Sequence, residues 1–205
     1  MTRGEDVRAA TELGAAYVGV ILADGPRKLT LDRAAEVLGE VRGRSRRVGV
    51  FGQASPREVA DAARALKLDA VQLHGASDGE MIGDLRTLFD GDIWAVLRIA
   101  GGTLPPESAR LFWIADAVVL DAFVHGKLGG TGVPLPWEAV AAALPSVRGS
   151  ATLVLAGGLR AENVREATRL LRPGIVDVSS GVETAPGIKD HARMRAFRDA
   201  VRDSE

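Results

Sequence analysis

Two short stretches carry the residue types best suited to hold an anion. Thr152-Leu153-Val154-Leu155-Ala156-Gly157-Gly158 and Ile175-Val176-Asp177-Val178-Ser179-Ser180-Gly181 are apolar runs that stop on small residues and lead into helical patterns. Apolar, β-branched runs read as strands buried on both faces. Glycine or serine at the carboxyl end lets backbone N–H groups approach an anion, and the start of the next helix adds positive partial charge there. Two such ends in consecutive βα units suit one phosphate held by Gly157, Gly158, Ser180 and Gly181. Taken singly, each is equally an ordinary tight βα turn.

Other chemistry-bearing residues stand at the ends of apolar runs. Asp121 closes Ala117-Val118-Val119-Leu120, where partial burial favours a protonated carboxyl and suits a general acid. The alternative is a cap on the loop that follows. Arg27, after Asp24-Gly25-Pro26, can clamp a carboxylate bidentately or stand solvated on the rim. His74 can shuttle a proton or hydrogen-bond a neighbouring loop. Gln53 and Arg98 occupy the same kind of position. Gly129-Gly130-Thr131-Gly132 reads as a lid, or as a loop packed close to a ligand.

The elements that must position these residues alternate without a break. Helical spacing of Val7, Ala10 and Leu13 predicts a helix over 5–14, and a strand follows over 17–22. Thr30 caps a helix over 31–41, stopped by Gly43, and 48–51 is a strand. Ser55-Pro56-Arg57-Glu58 is a capping box opening a helix that runs to Leu66. Strands over 70–74, 93–99 and 117–121 alternate with helices over 78–88, 106–112 and 137–144. The two opening stretches supply the last strands, with helices over 161–171 and 189–201.

That makes eight helices and seven strands, beginning on a helix. Such alternation gives a parallel sheet covered by helices in one domain spanning 1–205. A TIM (β/α)8 barrel needs a strand before its first helix, so the expectation is a barrel lacking that strand. An open doubly wound sheet is the alternative, without a Gly-x-Gly-x-x-Gly to support a dinucleotide site.

Composition narrows the function further. The 205 residues are 46% hydrophobic and 26% charged, with a net charge of −1, so no basic field draws the chain to nucleic acid or an anionic membrane. It contains no cysteine, which excludes thiol catalysis and thiolate metal sites within it, and its three histidines show no metal-ligand spacing. No apolar run spans a bilayer and no signal-peptide core opens the chain, so a soluble cytoplasmic protein is expected.

Six segments in order resemble the phosphoribosylanthranilate isomerase family: Gly49-Val50-Phe51, Val71-Gln72-Leu73-His74-Gly75, Leu120-Asp121-Ala122, Gly129-Gly130-Thr131-Gly132, Leu155-Ala156-Gly157-Gly158-Leu159 with Glu162-Asn163-Val164, and Asp177-Val178-Ser179-Ser180-Gly181-Val182-Glu183. The resemblance implies a (β/α)8 barrel and an Amadori rearrangement of N-(5-phosphoribosyl)anthranilate, with no cofactor or metal. It implies that Asp121 is the general acid and that Arg27 holds the anthranilate carboxylate. Gly157, Gly158, Ser180 and Gly181 fall in the phosphate loops, and His74 and Asp177 lie near the substrate. The expected partner is a small phosphoribosyl substrate, for a monomer or homodimer.

The chain departs from the family pattern at its start. The family opens on a strand of the type Lys-Ile-Cys-Gly, a hydrophobic residue and Thr-Arg, its cysteine being the base. Here Met1-Thr2-Arg3 falls where the segment after that cysteine belongs. Val133 also stands where the family commonly has lysine. A start at an internal methionine of a longer protein explains the difference most simply. The alternatives are a variant that lost the base, or replacement of the base by Asp24 or His74. Without that strand, the runs at 17–22 and 175–179 lose a shared neighbour, so they pair directly, are covered by a partner, or stay mobile. Impaired isomerisation is the expected consequence. Two other functions fit less well: a catalytically silent barrel that binds a phosphorylated aromatic ligand, and an isomerase for a histidine-pathway aminoaldose carrying two phosphates. Around Val50 to Ala54 the chain lacks the second glycine pair that the latter needs.

Overall fold

The computed structural model describes residues 1–75, 77–99, 101–122 and 136–203. Seven strands form one sheet: β1 (Tyr17–Ile21), β2 (Arg46–Phe51), β3 (Ala70–Leu73), β4 (Asp92–Ile99), β5 (Ala117–Ala122), β6 (Thr152–Leu155) and β7 (Ile175–Val176). They lie side by side in chain order, with β1 and β7 at the two ends of that order. Among the described residues there are eight α-helices: α1 (Gly4–Glu12), α2 (Leu31–Leu38), α3 (Pro56–Leu66), α4 (Gly79–Arg86), α5 (Ser108–Ile114), α6 (Trp137–Ala143), α7 (Val164–Leu171) and α8 (His191–Arg202). A two-stranded hairpin, β8 (Glu183–Ala185) with β9 (Ile188–Lys189), precedes α8. No helix among the described residues is long and apolar enough to cross a membrane.

The chain divides into two compact units, the first comprising Met1–Trp94 with Thr184–His191. Here β1, β2 and β3 pair in parallel, with Val20 beside Gly49 and Val50 beside Gln72. Val18, Val20, Val71 and Leu73 are buried on one face of the sheet and Val48 on the other, and Val37, Leu38, Val59, Leu66 and Leu85 are buried on the helices. Both sequence-read caps form. Thr30 accepts from the Arg33 amide at 3.3 Å, and Ser55 and Glu58 close the reciprocal box on α3. At the amino end of β2, Arg46 pairs with Asp92 at 2.8 Å and lies over the Tyr17 ring.

The N-terminal segment belongs to this unit. Residues 1–10 add no strand, because α1 starts at Gly4. Met1 nevertheless lies beside β1, its ammonium donating to the Gly19 carbonyl at 2.5 Å. Asp6 on α1 is fully buried and accepts from Arg3 Nε at 2.9 Å, Arg3 Nη2 at 2.7 Å and the Lys189 amide at 3.2 Å. His191 Nε2 stands 2.9 Å from its other face.

The second unit comprises Ala95–Glu183 with Ala192–Glu205. Parallel pairing sets Leu120 beside Leu155 and Leu155 beside Val176. Val118, Leu120, Leu153 and Leu155 are buried with Phe112, Val140, Val164 and Leu171. Two sequence expectations are corrected here. The last strand is two residues rather than five, and α7 begins at Val164 rather than 161, because the loop before it is held in another shape. The hairpin before α8 carries no periodic signal: strands of three and two residues around Pro186-Gly187 are too short to show one.

Candidate active site

In the first unit, the carboxyl ends of β1, β2 and β3 present Arg27, Gln53 and His74. Arg27 is half-buried in the turn after β1, which is closed by the Lys28 amide donating to the Gly25 carbonyl at 3.2 Å. Asp24, one of the two residues considered as a replacement base, is 87% exposed and paired with Lys28 at 2.6 Å. The hydrogen bond and charge of that ammonium hold its carboxyl below the usual range, which weakens it as a base. His74 is half-buried immediately beyond β3, its amide extending the ladder to the Phe51 carbonyl at 2.8 Å. Gln53 is exposed, whereas Gln72, one residue inside the end of β3, is buried. Sequence reading named Gln72 only within a motif. A polar side chain in an otherwise apolar, fully buried strand was the signal that marked it.

In the second unit, the ends of β5, β6 and β7 carry the remaining candidates. Asp121 is 7% exposed at the end of β5, directly after Leu120, whose carbonyl accepts from the Ala156 amide at 3.0 Å. Asp177 is exposed just past β7, and its amide donates to the Leu155 carbonyl at 2.8 Å. Arg98 is half-buried within β4. The glycine-rich stretch 129–132 and Val133 lie outside the described residues.

The two glycine-type loops do come together. Gly157 and Gly158 have φ of 81° and 68°, a left-handed pair that turns the chain sharply at the end of β6. After β7, Ser180, Gly181 and Val182 form one 3-10 turn. A Cβ on Gly181 would overlap the carbonyl oxygen of Leu159, so the second loop sits on the first with no room for a side chain. Gly181→Ala is therefore expected to push the loops apart and destabilise the fold by about 1–3 kcal/mol. Urea unfolding with an unchanged midpoint would show that the loops have room to yield.

Asn163 belongs to the Glu162-Asn163-Val164 motif, whose type alone implies no role for it. It stands at the N-cap position of α7 yet makes no capping bond. Its Oδ1 accepts from the Arg160 amide at 2.8 Å, and its Nδ2 donates to the Gly158 carbonyl at 3.0 Å. The side chain thus braces the loop that starts with the two glycines.

A strand-helix repeat with this sheet order, its candidate residues at the strand carboxyl ends, defines a TIM-barrel-like α/β protein. The sequence pattern of the N-(5'phosphoribosyl)anthranilate (PRA) isomerase family matches residues 1–200, and the chain belongs to that family. It is 38% identical to the N-(5'-phosphoribosyl)anthranilate isomerase of Pseudomonas fluorescens, over 98% of this chain and 95% of that protein. The crystal structure of phosphoribosyl anthranilate isomerase from Thermotoga maritima superposes with a TM-score of 0.87 at 29% identity, covering 99% of this chain and 96% of that one. A structure of the enzyme in complex with reduced 1-(o-carboxyphenylamino)-1-deoxyribulose 5-phosphate superposes with a TM-score of 0.84 at 29% identity, covering 99% and 95%.

Proposed function

We propose that this chain catalyses the Amadori rearrangement of N-(5-phosphoribosyl)anthranilate to 1-(2-carboxyphenylamino)-1-deoxyribulose 5-phosphate in tryptophan biosynthesis. A general acid protonates the ribose ring oxygen, and the C1–O bond opens to a Schiff base. Loss of the C2 proton to a base then gives an enolamine, which tautomerises to the ketose. Atoms balance without a cofactor or metal. Asp121 is assigned as the acid, Arg27 as the clamp on the anthranilate carboxylate, and His74 and Asp177 as substrate-binding residues. The amides around Gly157, Gly158, Ser180 and Gly181 are assigned to the phosphate. The observation that supports this most directly is the seat of Gly181 on Leu159, which joins two anion-type loops into one. The protein acts on a small phosphoribosyl substrate in the cytoplasm, as a monomer or homodimer, without nucleic acid or membrane.

The finer reading is a barrel of seven strands without the strand that carries the family's cysteine base. The 205-residue chain has no cysteine at all. It is expected to turn over about 10²–10⁴-fold more slowly than a form extended ahead of Met1 by a Lys-Ile-Cys-Gly strand, the usual size of a general-base effect. Fluorescence assays of both forms check this. Equal rates would mean that a residue within 1–205 already serves as base. No rate in either form would favour the silent binding barrel instead.

A further inference from the structure

We propose that Asn163 is the positioning residue of the phosphate loop, setting the amides that receive the substrate's phosphate without touching the phosphate itself. This rests on the assignment of that loop above and adds what holds it in shape. Asparagine at an N-cap normally accepts from the second or third amide of its own helix. Here that bond is not made, so the helix start gives up its stabilisation and the side chain serves the preceding loop. Both polar atoms are engaged there, one accepting from Arg160 and one donating to Gly158. Only an amide offers a donor and an acceptor at this reach.

The consequence is directional. In a planar trans peptide the C=O and the following N–H point opposite ways. No peptide bond described here is cis. Holding the Gly158 carbonyl toward Asn163 therefore turns the Leu159 N–H away from it. The amides of Gly157, Gly158 and Leu159 donate to no backbone acceptor among the described residues. The two glycines at positive φ can adopt other conformations at little cost, so without the brace the loop samples several amide directions. The contact of Gly181 with the Leu159 carbonyl holds the other side of the same residue. Asn163 and Gly181 thus grip the loop from both directions.

The test separates loop geometry from folding. Asn163→Ser removes the brace but supplies a preferred N-cap, three residues before Glu166, so the start of α7 gains a capping box. Its melting temperature should equal or exceed that of the unsubstituted chain. By isothermal titration, reduced 1-(o-carboxyphenylamino)-1-deoxyribulose 5-phosphate should bind the variant about tenfold more weakly, the loss expected when hydrogen bonds to an anion are misaligned. The dephosphorylated form of the same ligand should bind both proteins within about twofold, because the coupling is to the phosphate alone. Asn163→Asp, which keeps the acceptor but loses the donor, should behave like the serine variant. Equal losses on both ligands, or no loss on the phosphorylated one, would overturn the proposal. If the unsubstituted chain itself fails to prefer the phosphorylated ligand, the phosphate loop assignment falls and takes this one with it.

Discussion

Asp121→Asn, in a form of the chain extended ahead of Met1 by a Lys-Ile-Cys-Gly strand, is expected to lower turnover by about 10²–10⁴-fold, the range for loss of the general acid proposed here. The substitution changes one atom and no volume. It leaves the β5–β6 ladder intact, since Leu120 and Leu155 pair through backbone. An amide in place of a carboxyl keeps hydrogen-bonding capacity at a 7% exposed position, but its N–H protons are not acidic enough to transfer to a ring oxygen. Binding of reduced 1-(o-carboxyphenylamino)-1-deoxyribulose 5-phosphate should change little, so the loss falls on kcat rather than on KM. A variant with full turnover would remove Asp121 from the mechanism. A variant that loses turnover together with its melting transition would make it a structural residue instead.

Asp6→Ala should destabilise the fold by about 1.5–3 kcal/mol, the worth of hydrogen bonds to a charged group, because Arg3 is partly exposed and keeps its pairing with Glu5. The carboxylate is fully buried and receives two bonds from Arg3, one from the Lys189 amide and a contact from His191. Its removal takes two bonds from the Arg3 guanidinium, which keeps Glu5 at 2.9 Å and the Lys189 carbonyl at 3.3 Å, and leaves the Lys189 amide, 183 residues away in sequence, without this acceptor. Burial pushes the Asp6 carboxyl up. The hydrogen bonds from Arg3, His191 and the Lys189 amide outweigh that, and the net shift is below the usual range. A depressed carboxyl contributes its stability in full above the unfolded value, near ~3.9, and loses it as pH falls through the folded value. Urea unfolding at neutral pH and again near pH ~3 should therefore show the gap between the parent chain and Asp6→Ala narrowing in acid. A gap independent of pH would mean that packing, not the ion pair, makes the residue matter.

What was legible in the sequence was local. Strands such as 117–120 and 153–155 announce themselves because both faces are buried, so every residue is apolar. Thr30 and Ser55 cap as read, since a cap needs only its own four or five residues. The left-handed turn at Gly157-Gly158 follows from residue type, as does the placing of Asp121 at a strand end and of Arg27 and His74 beyond one. Tertiary structure decided the rest, wherever distant segments compete for the same polar group. Asn163 fell inside the helix read over 161–171, but it stands at the N-cap and its amide bridges the Arg160 amide and the Gly158 carbonyl. Gly181 is legible in sequence as an anion-loop glycine, but only the fold puts the Leu159 carbonyl where its side chain would be. Arg3, Asp6, Lys189 and His191 are ordinary surface types in sequence, and only folding makes Asp6 buried and the others its partners. Sequence spacing records what a residue can reach along its own element. Which of the reachable partners wins depends on what the rest of the chain brings there.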